Sequence, residues 1–397
     1  MSHFYADVHT ARIQEVIRRL VKEILTEHVS FEATFAVTPE PVPYAERQKL
    51  AYRPIAEGAH WGSTWDCGWF HIKSRVPVDW KGAAVVAQLD FAGETLVYDA
   101  SRMPVAGLTS GSVFDLHYSK DILHLYPCCA GGESVELWLE TGSNGLFGVN
   151  RPLDPAWEED PSKHHGHQSS AVMRMRLCRF NTDAWHLWLD LGVLINLAEL
   201  LKDGTARKLQ ILRGCSKALD LLPTRGPSAV REALKPLFSL PTDPATVDVY
   251  GVGHAHIDTA WLWPVRETIR KCGRTFSSQI ANIERYPGYV FGASQAQLYA
   301  FTKDNYPLLY AKIKKAVKAG RWEIQGGMWV EGDCDLTGGE ALVRQFIHGK
   351  NFCRDEFGVD VKGCWIPDVF GYAATMPQIL NRSGIEWFLT QKISWNQ

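Results

Sequence analysis

Asp248-Val-Tyr-Gly-Val-Gly-His-Ala-His-Ile-Asp-Thr-Ala-Trp-Leu-Trp263 is the stretch on which the reading of this chain turns. The β-branched and aromatic run of Val247, Val249, Tyr250 and Val252 predicts a buried strand, which runs directly into His254, His256 and Asp258 before a helical pattern begins. Side chains two apart on an extended segment point the same way, so two imidazoles and a carboxylate share one face. Such a donor set suits a divalent transition metal such as zinc. An isolated H-x-H is equally compatible with a polar strand end whose histidines cap backbone groups, so the decision passes to the rest of the chain.

Downstream of Ala245, strand and helix patterns alternate. The strands are Val247 to Val252, Tyr289 to Gly292, Trp322 to Val330, Gly363 to Ile366 and Trp387 to Leu389. Alternation of this kind predicts a parallel sheet covered by helices, with ligands bound beyond the carboxyl ends of the strands. The residues just after each strand are His254, His256 and Asp258; Ser294 and Gln295; Glu331, Asp333 and Asp335; Asp368; and Thr390, Gln391 and Lys392. Every strand end thus carries polar or ionisable groups. Asp333 follows Gly326 and Gly327, which let the backbone pass close to a neighbour. Its carboxylate is placed to complete the His256 and Asp258 set as a third metal ligand, or to act as a nucleophile.

Upstream the pattern differs. Ile13, Val16, Ile17, Leu20, Val21 and Ile24 recur at helical spacing, and Pro39, Pro41 and Pro43 suggest an extended connector over residues 31–51. Residues 61–180 contain short apolar or alternating runs separated by Gly and Pro clusters, which predicts an antiparallel sandwich of jelly-roll type. Tryptophans 61, 65, 69, 80 and 138 read as core packing, with sugar binding on exposed indoles as the alternative. His164, His165 and His167 follow a Pro- and acid-rich loop and read as a solvated tract. Two helices between Thr182 and Leu222 then precede a linker marked by Pro223, Pro227, Pro236, Pro241 and Pro244. The expected domains are residues 1–60 (helix and connector), 61–180 (sandwich), 181–244 (helices and linker) and 245–397 (catalytic).

Composition bounds the function. A chain of 397 residues with a net charge of −2 lacks the basic excess of a nucleic-acid or anionic-membrane surface. A small neutral substrate fits that balance better. The start of the chain is polar and amphipathic instead of leader-like, no apolar run is long enough to span a bilayer, and the nine cysteines form no C-x-x-C pair. A cytoplasmic protein with reduced thiols is expected.

Six signatures carry a resemblance. They are Gly253-His-Ala-His-Ile-Asp-Thr-Ala-Trp-Leu-Trp-Pro264, Ser294-Gln-Ala-Gln297, Gly326-Gly-Met-Trp-Val-Glu331, Leu342-Val-Arg-Gln-Phe346, Trp365-Ile-Pro-Asp-Val-Phe-Gly-Tyr372 and Phe388-Leu-Thr-Gln-Lys-Ile-Ser-Trp395. The chain resembles the α-mannosidases of glycoside hydrolase family 38, in their cytosolic, metal-dependent branch. The resemblance implies that residues 245–397 form the first part of a parallel β/α barrel-like catalytic domain. It assigns the family's H-x-D metal motif to His256 and Asp258, leaves His254 as a neighbour of the site, and makes Asp333 both nucleophile and third ligand. Asp368 is expected to line the pocket, and Trp261 to offer a platform for a sugar ring.

The implied chemistry is retaining hydrolysis of terminal α-mannosyl residues from an oligosaccharide, through a covalent glycosyl-enzyme and with one divalent metal: zinc, cobalt or manganese. The resemblance further implies a homo-oligomer for the full-length enzyme, and places the fourth ligand (a histidine) and the general acid beyond residue 397. The competing reading is a catalytically incomplete relative that keeps residual carbohydrate binding. A metal-dependent amide or ester hydrolase would explain the histidines and aspartate but not the other five signatures.

Overall fold

The computed structural model describes residues 2–63, 65–111, 119–144, 170–241, 246–261 and 263–395. The histidine tract at residues 164–167 lies outside them. An antiparallel sandwich occupies the middle of the molecule. One sheet sets Leu25–Ser30, Arg174–Phe180, Ala84–Asp90 and Ile122–Tyr126 side by side; the other runs Arg53–Pro54, Glu32–Thr38, Cys67–Arg75, Ser134–Gly142, Glu94–Tyr98 and Pro104–Thr109. Phe35, Phe70, Ile72, Val85, Leu89, Val97 and Leu139 fill the space between the sheets.

These strands read as apolar runs because both of their faces are covered. Along Ala84–Asp90, Val85, Ala87 and Leu89 point into the sandwich, whereas Val86 packs against helices on the outside. On the other sheet Phe70 and Val97 point inward while Trp69, Leu96 and Tyr98 join the core of the catalytic portion. A sheet buried on two sides loses the polar alternation of a half-exposed one.

The tryptophans serve this packing. Trp61, Trp69 and Trp80 are buried. Trp138 is stacked on His71 at 3.9 Å and has the Arg47 guanidinium 4.1 Å from its ring centre, so its ring is engaged within the protein.

Two segments depart from the sequence expectation. The first part of the expected 31–51 connector is a sheet strand: Glu32–Thr38 pairs with Cys67–Arg75, just after Leu25–Ser30 has paired with Arg174–Phe180. Phe31 and Phe35 anchor that part of the chain in the core, and the prolines start only where the second strand stops. The proline-marked linker is largely a helix, Leu222–Phe238, kinked at Gly226 with φ 73°. Pro223 sits in its first turn, where a missing N–H breaks no helical bond. Val230 and Leu234 bury its apolar side against helices Thr182–Leu200 and Ala206–Leu219, in the core they share with helix Ser2–Ile24.

Beyond it the expected parallel pairing is present: Gly253–His254, Phe291–Ala293 and Trp322–Ile324 form one sheet, Gly363–Trp365 and Trp387–Leu389 another. Strands are shorter than the apolar runs suggest. Val247, Val249 and Tyr250 are exposed coil, because the ladder to Phe291–Ala293 begins only at Gly253.

Helix Val265–Arg285 joins this portion to the sandwich through buried charge. Arg270, which is 2% exposed, lies 2.9 Å from Glu140 and 2.5 Å from Glu267. Lys271 and Arg274 hold Glu94 at 2.7 and 2.8 Å, and Asn144 donates to the same carboxylate. Burial disfavours the charges on Arg270, Glu94 and Glu267, but their partners outweigh it: Arg270 is held firmly protonated by Glu267 and Glu140, and Glu94 and Glu267 stay below the usual carboxylate range.

Candidate metal centre

The site grows out of the parallel strand ends. After His254 the chain turns, burying Ile257 in the core, and the first turn of helix Val265–Arg285 ties the loop down. Thr268 Oγ1 donates to the carbonyl of Thr259 at 2.6 Å and accepts from Trp263 Nε1 at 3.0 Å. The second strand end supplies Gln295, buried and with φ 67°. The third turns through Gly326 and Gly327, both at positive φ, and the fourth leads into Asp368.

His256 Nε2 stands 3.2 Å from Asp258 Oδ1 and 3.7 Å from Asp368 Oδ2. On the other side of the ring, Nδ1 lies 2.9 Å from Glu331 Oε2, a carboxylate only 3% exposed. Burial pulls the imidazole toward the neutral form, but hydrogen bonds and charge from Asp258 and Glu331 prevail and push its pKa up to about 10. Lys392 Nζ pairs with Asp368 Oδ1 at 2.7 Å.

One donor atom each from His256, Asp258 and Asp368 lies within 4.8 Å of the others. Ligand atoms about 2.1 Å from a tetrahedral zinc stand roughly 3.4 Å apart, close to the 3.2 and 3.7 Å found around Nε2. One imidazole nitrogen and two carboxylate oxygens are also the donor types that zinc, cobalt and manganese accept. The residues present therefore fit a divalent cation at three positions.

Of the residues expected from sequence, the structure brings together His256, Asp258 and Asp368. His254 lies beside them, its ring 5.0 Å from that of Trp365, and burial lowers its pKa. It belongs to no three-donor group among the described residues. Asp333 stands apart from the group: its Oδ1 accepts from the amides of Asp335 and Leu336 at 2.9 and 2.8 Å, and Cys334 pairs with the loop that follows Asp368. A Cβ on Gly371 would come within 2.8 Å of Asp333 Oδ1, so glycine keeps that carboxylate uncovered. Trp261 is half-exposed and edge-on to Trp263 at 5.6 Å.

Sequence reasoning gave Glu331, Gln295 and Lys392 no role. The signal was their place at strand ends; their partners come from other strands, which spacing along the chain does not encode.

Comparison with known proteins agrees with this layout. Residues 27–172 match the alpha-mannosidase jelly roll domain, and residues 246–397 match the glycosyl hydrolases family 38 N-terminal domain. The chain is 36% identical over 367 residues to "Alpha-mannosidase 2C1" of Homo sapiens, covering 91% of this chain and 34% of that protein. It is 32% identical over 402 residues to "Alpha-mannosidase G" of Dictyostelium discoideum, covering 99% of this chain and 35% of that one. A third relative, "Alpha-mannosidase" of Saccharomyces cerevisiae, is 31% identical over 394 residues, with 93% and 35% covered. The chain spans about a third of the length of these curated relatives. Through both its jelly roll and its site-bearing domain, the chain belongs to the family 38 glycosyl hydrolases.

Proposed function

We propose that this chain carries the metal centre and the nucleophile of a retaining α-mannosidase that removes terminal α-mannosyl residues from oligosaccharides. The observation that supports it most directly is the His256, Asp258 and Asp368 group at the ends of parallel strands, within the domain that matches family 38. His256 and Asp258 hold the cation, with Asp368 within reach of the same position. A bound divalent metal supplies Lewis-acid contacts to adjacent sugar hydroxyls and favours the flattened ring of the transition state.

In this reading Asp333 is the nucleophile and a further ligand, as the family resemblance implies. Its Oδ1 is anchored by two backbone amides, which leaves Oδ2 to attack the anomeric carbon as the aglycone oxygen departs. A water then cleaves the ester formed with Asp333 and restores the free carboxylate. The leaving oxygen takes its proton from a carboxylic acid on the opposite face, a role we assign to no described residue. Half-exposed Trp261 offers an apolar face to the sugar ring. All nine cysteines are free thiols, which supports a reducing, cytoplasmic compartment.

The test is turnover of an aryl α-mannoside by the whole protein. Asp333→Asn is expected to lower kcat by about three orders of magnitude or more, as loss of a covalent nucleophile does, and chelation of the metal is expected to abolish turnover reversibly. Wild-type rates in Asp333→Asn would sink the assignment.

A further inference from the structure

His256 is held from behind. Its Nε2 faces Asp258 and Asp368, while Nδ1 abuts Glu331 Oε2 at 2.9 Å, a contact bent away from a linear hydrogen bond. Neither of those two atoms has a hydrogen-bond partner elsewhere among the described residues. Glu331 is itself fixed at two points: its Oε1 accepts from Ser294 Oγ at 2.6 Å, and its backbone N–H donates to Gln295 Oε1 at 3.1 Å.

Gln295 also donates through Nε2 to the carbonyl of Ile257 at 2.7 Å and accepts from Thr259 Oγ1 at 3.0 Å. A buried glutamine at φ 67° therefore clamps the loop carrying His256 and Asp258 to the strand end carrying Glu331. Left-handed backbone is unfavourable for a side chain of this length, and the three-bond clamp is what the strained turn delivers.

We propose that Glu331 is a positioning residue for His256: its carboxylate, oriented by Ser294 and Gln295, accepts the Nδ1–H and turns Nε2 toward the position shared with Asp258 and Asp368. A metal-bound imidazole that gives its other N–H to a carboxylate is fixed in tautomer and orientation and is a stronger donor. Glu331 is too enclosed to act on substrate, and it faces the side of the ring away from Asp258 and Asp368. The inference rests on the metal reading above.

The experiment is titration of the metal-free full chain with Co²⁺, followed by calorimetry and by the d–d absorption of the bound ion. For Glu331→Gln the expected result is a Kd about ten- to a hundred-fold weaker, with one Co²⁺ still bound per chain, a cooperative melt retained and the saturated bands displaced. Ser294→Ala, which removes only the orienting hydroxyl, is expected to weaken binding several-fold in the same direction. It decides the matter alone if Glu331→Gln does not fold.

Variants whose Kd and bands match wild type overturn the proposal. So does a Glu331→Gln chain that takes up no Co²⁺ at saturation, because Glu331 is then a ligand. A wild-type chain that binds no Co²⁺ overturns the metal reading itself, an outcome distinct from both.

Discussion

Glu94, Glu140 and Glu267 face Arg270, Lys271 and Arg274 between sandwich and helix, three charges against three, nearly all out of solvent. Just before the same helix, His256 faces Asp258, Glu331 and Asp368, with Lys392 pairing the last of these. The first cluster is neutral as a whole, so nothing remains for a ligand to supply and its effect is to fix two domains against each other. The second carries an excess of negative charge on partly exposed carboxylates, which in the proposed reading a cation completes. Burial and balance together separate a structural joint from a binding site, although both are built of the same residue types.

The contrast breaks most visibly at Arg270. Arg270→Met leaves Glu140 and Glu267 buried without their shared partner, and an expected loss of about 3–5 kcal/mol in unfolding free energy follows; a urea titration showing under 1 kcal/mol would mean that the joint is not electrostatic. At the site the sign reverses, because ligand adds stability there. Zn²⁺ at a hundred times its Kd should raise the unfolding free energy of wild type by about 2.7 kcal/mol, and by far less in His256→Ala.

The two clusters also answer to opposite ends of the pH scale. His256 has its pKa raised to about 10, so in metal-free protein its contribution is full below the ordinary histidine value and is lost as pH rises through about 10. Glu94 and Glu267 have lowered pKa values, so theirs is full above the ordinary glutamate value and is lost as pH falls below it. Urea midpoints across pH should show both limbs in wild type and only the acid limb's full size in His256→Asn. The smallest effect is expected where charge is merely exposed: Arg344→Ala, breaking the surface pair with Glu340, should change stability by less than about 0.5 kcal/mol.

Much of this arrangement is legible in the sequence. The alternation after Ala245 gives the parallel strands, and the polar residues that follow them include each member of the His256, Asp258 and Asp368 group. What escapes is pairing across the chain. The apolar run at Val247 to Val252 reads as a buried strand, yet a ladder needs a neighbour, and the one available reaches only Gly253 and His254. Prolines mislead in the other direction: Pro223 begins a helix, and Pro39 ends a strand that Phe35 had already anchored. Asp333 and Asp368 are the same residue type at the ends of different strands, and nothing in their local sequence says that it is Asp368 whose carboxylate stands 3.7 Å from His256.

Because the sandwich is covered on both sides, its assembly has an order in time. Leu25–Ser30 leaves the ribosome long before its partner Arg174–Phe180 exists. Even after that strand arrives, Tyr44 covers only part of Trp69 and Tyr98, and the side of Trp69, Leu96 and Tyr98 that meets helix Val265–Arg285 stays open until that helix has been made. At roughly 5–20 residues per second, the nascent chain shows that aromatic face for several seconds, long enough for a chaperone to find it or for a neighbouring nascent chain to stick.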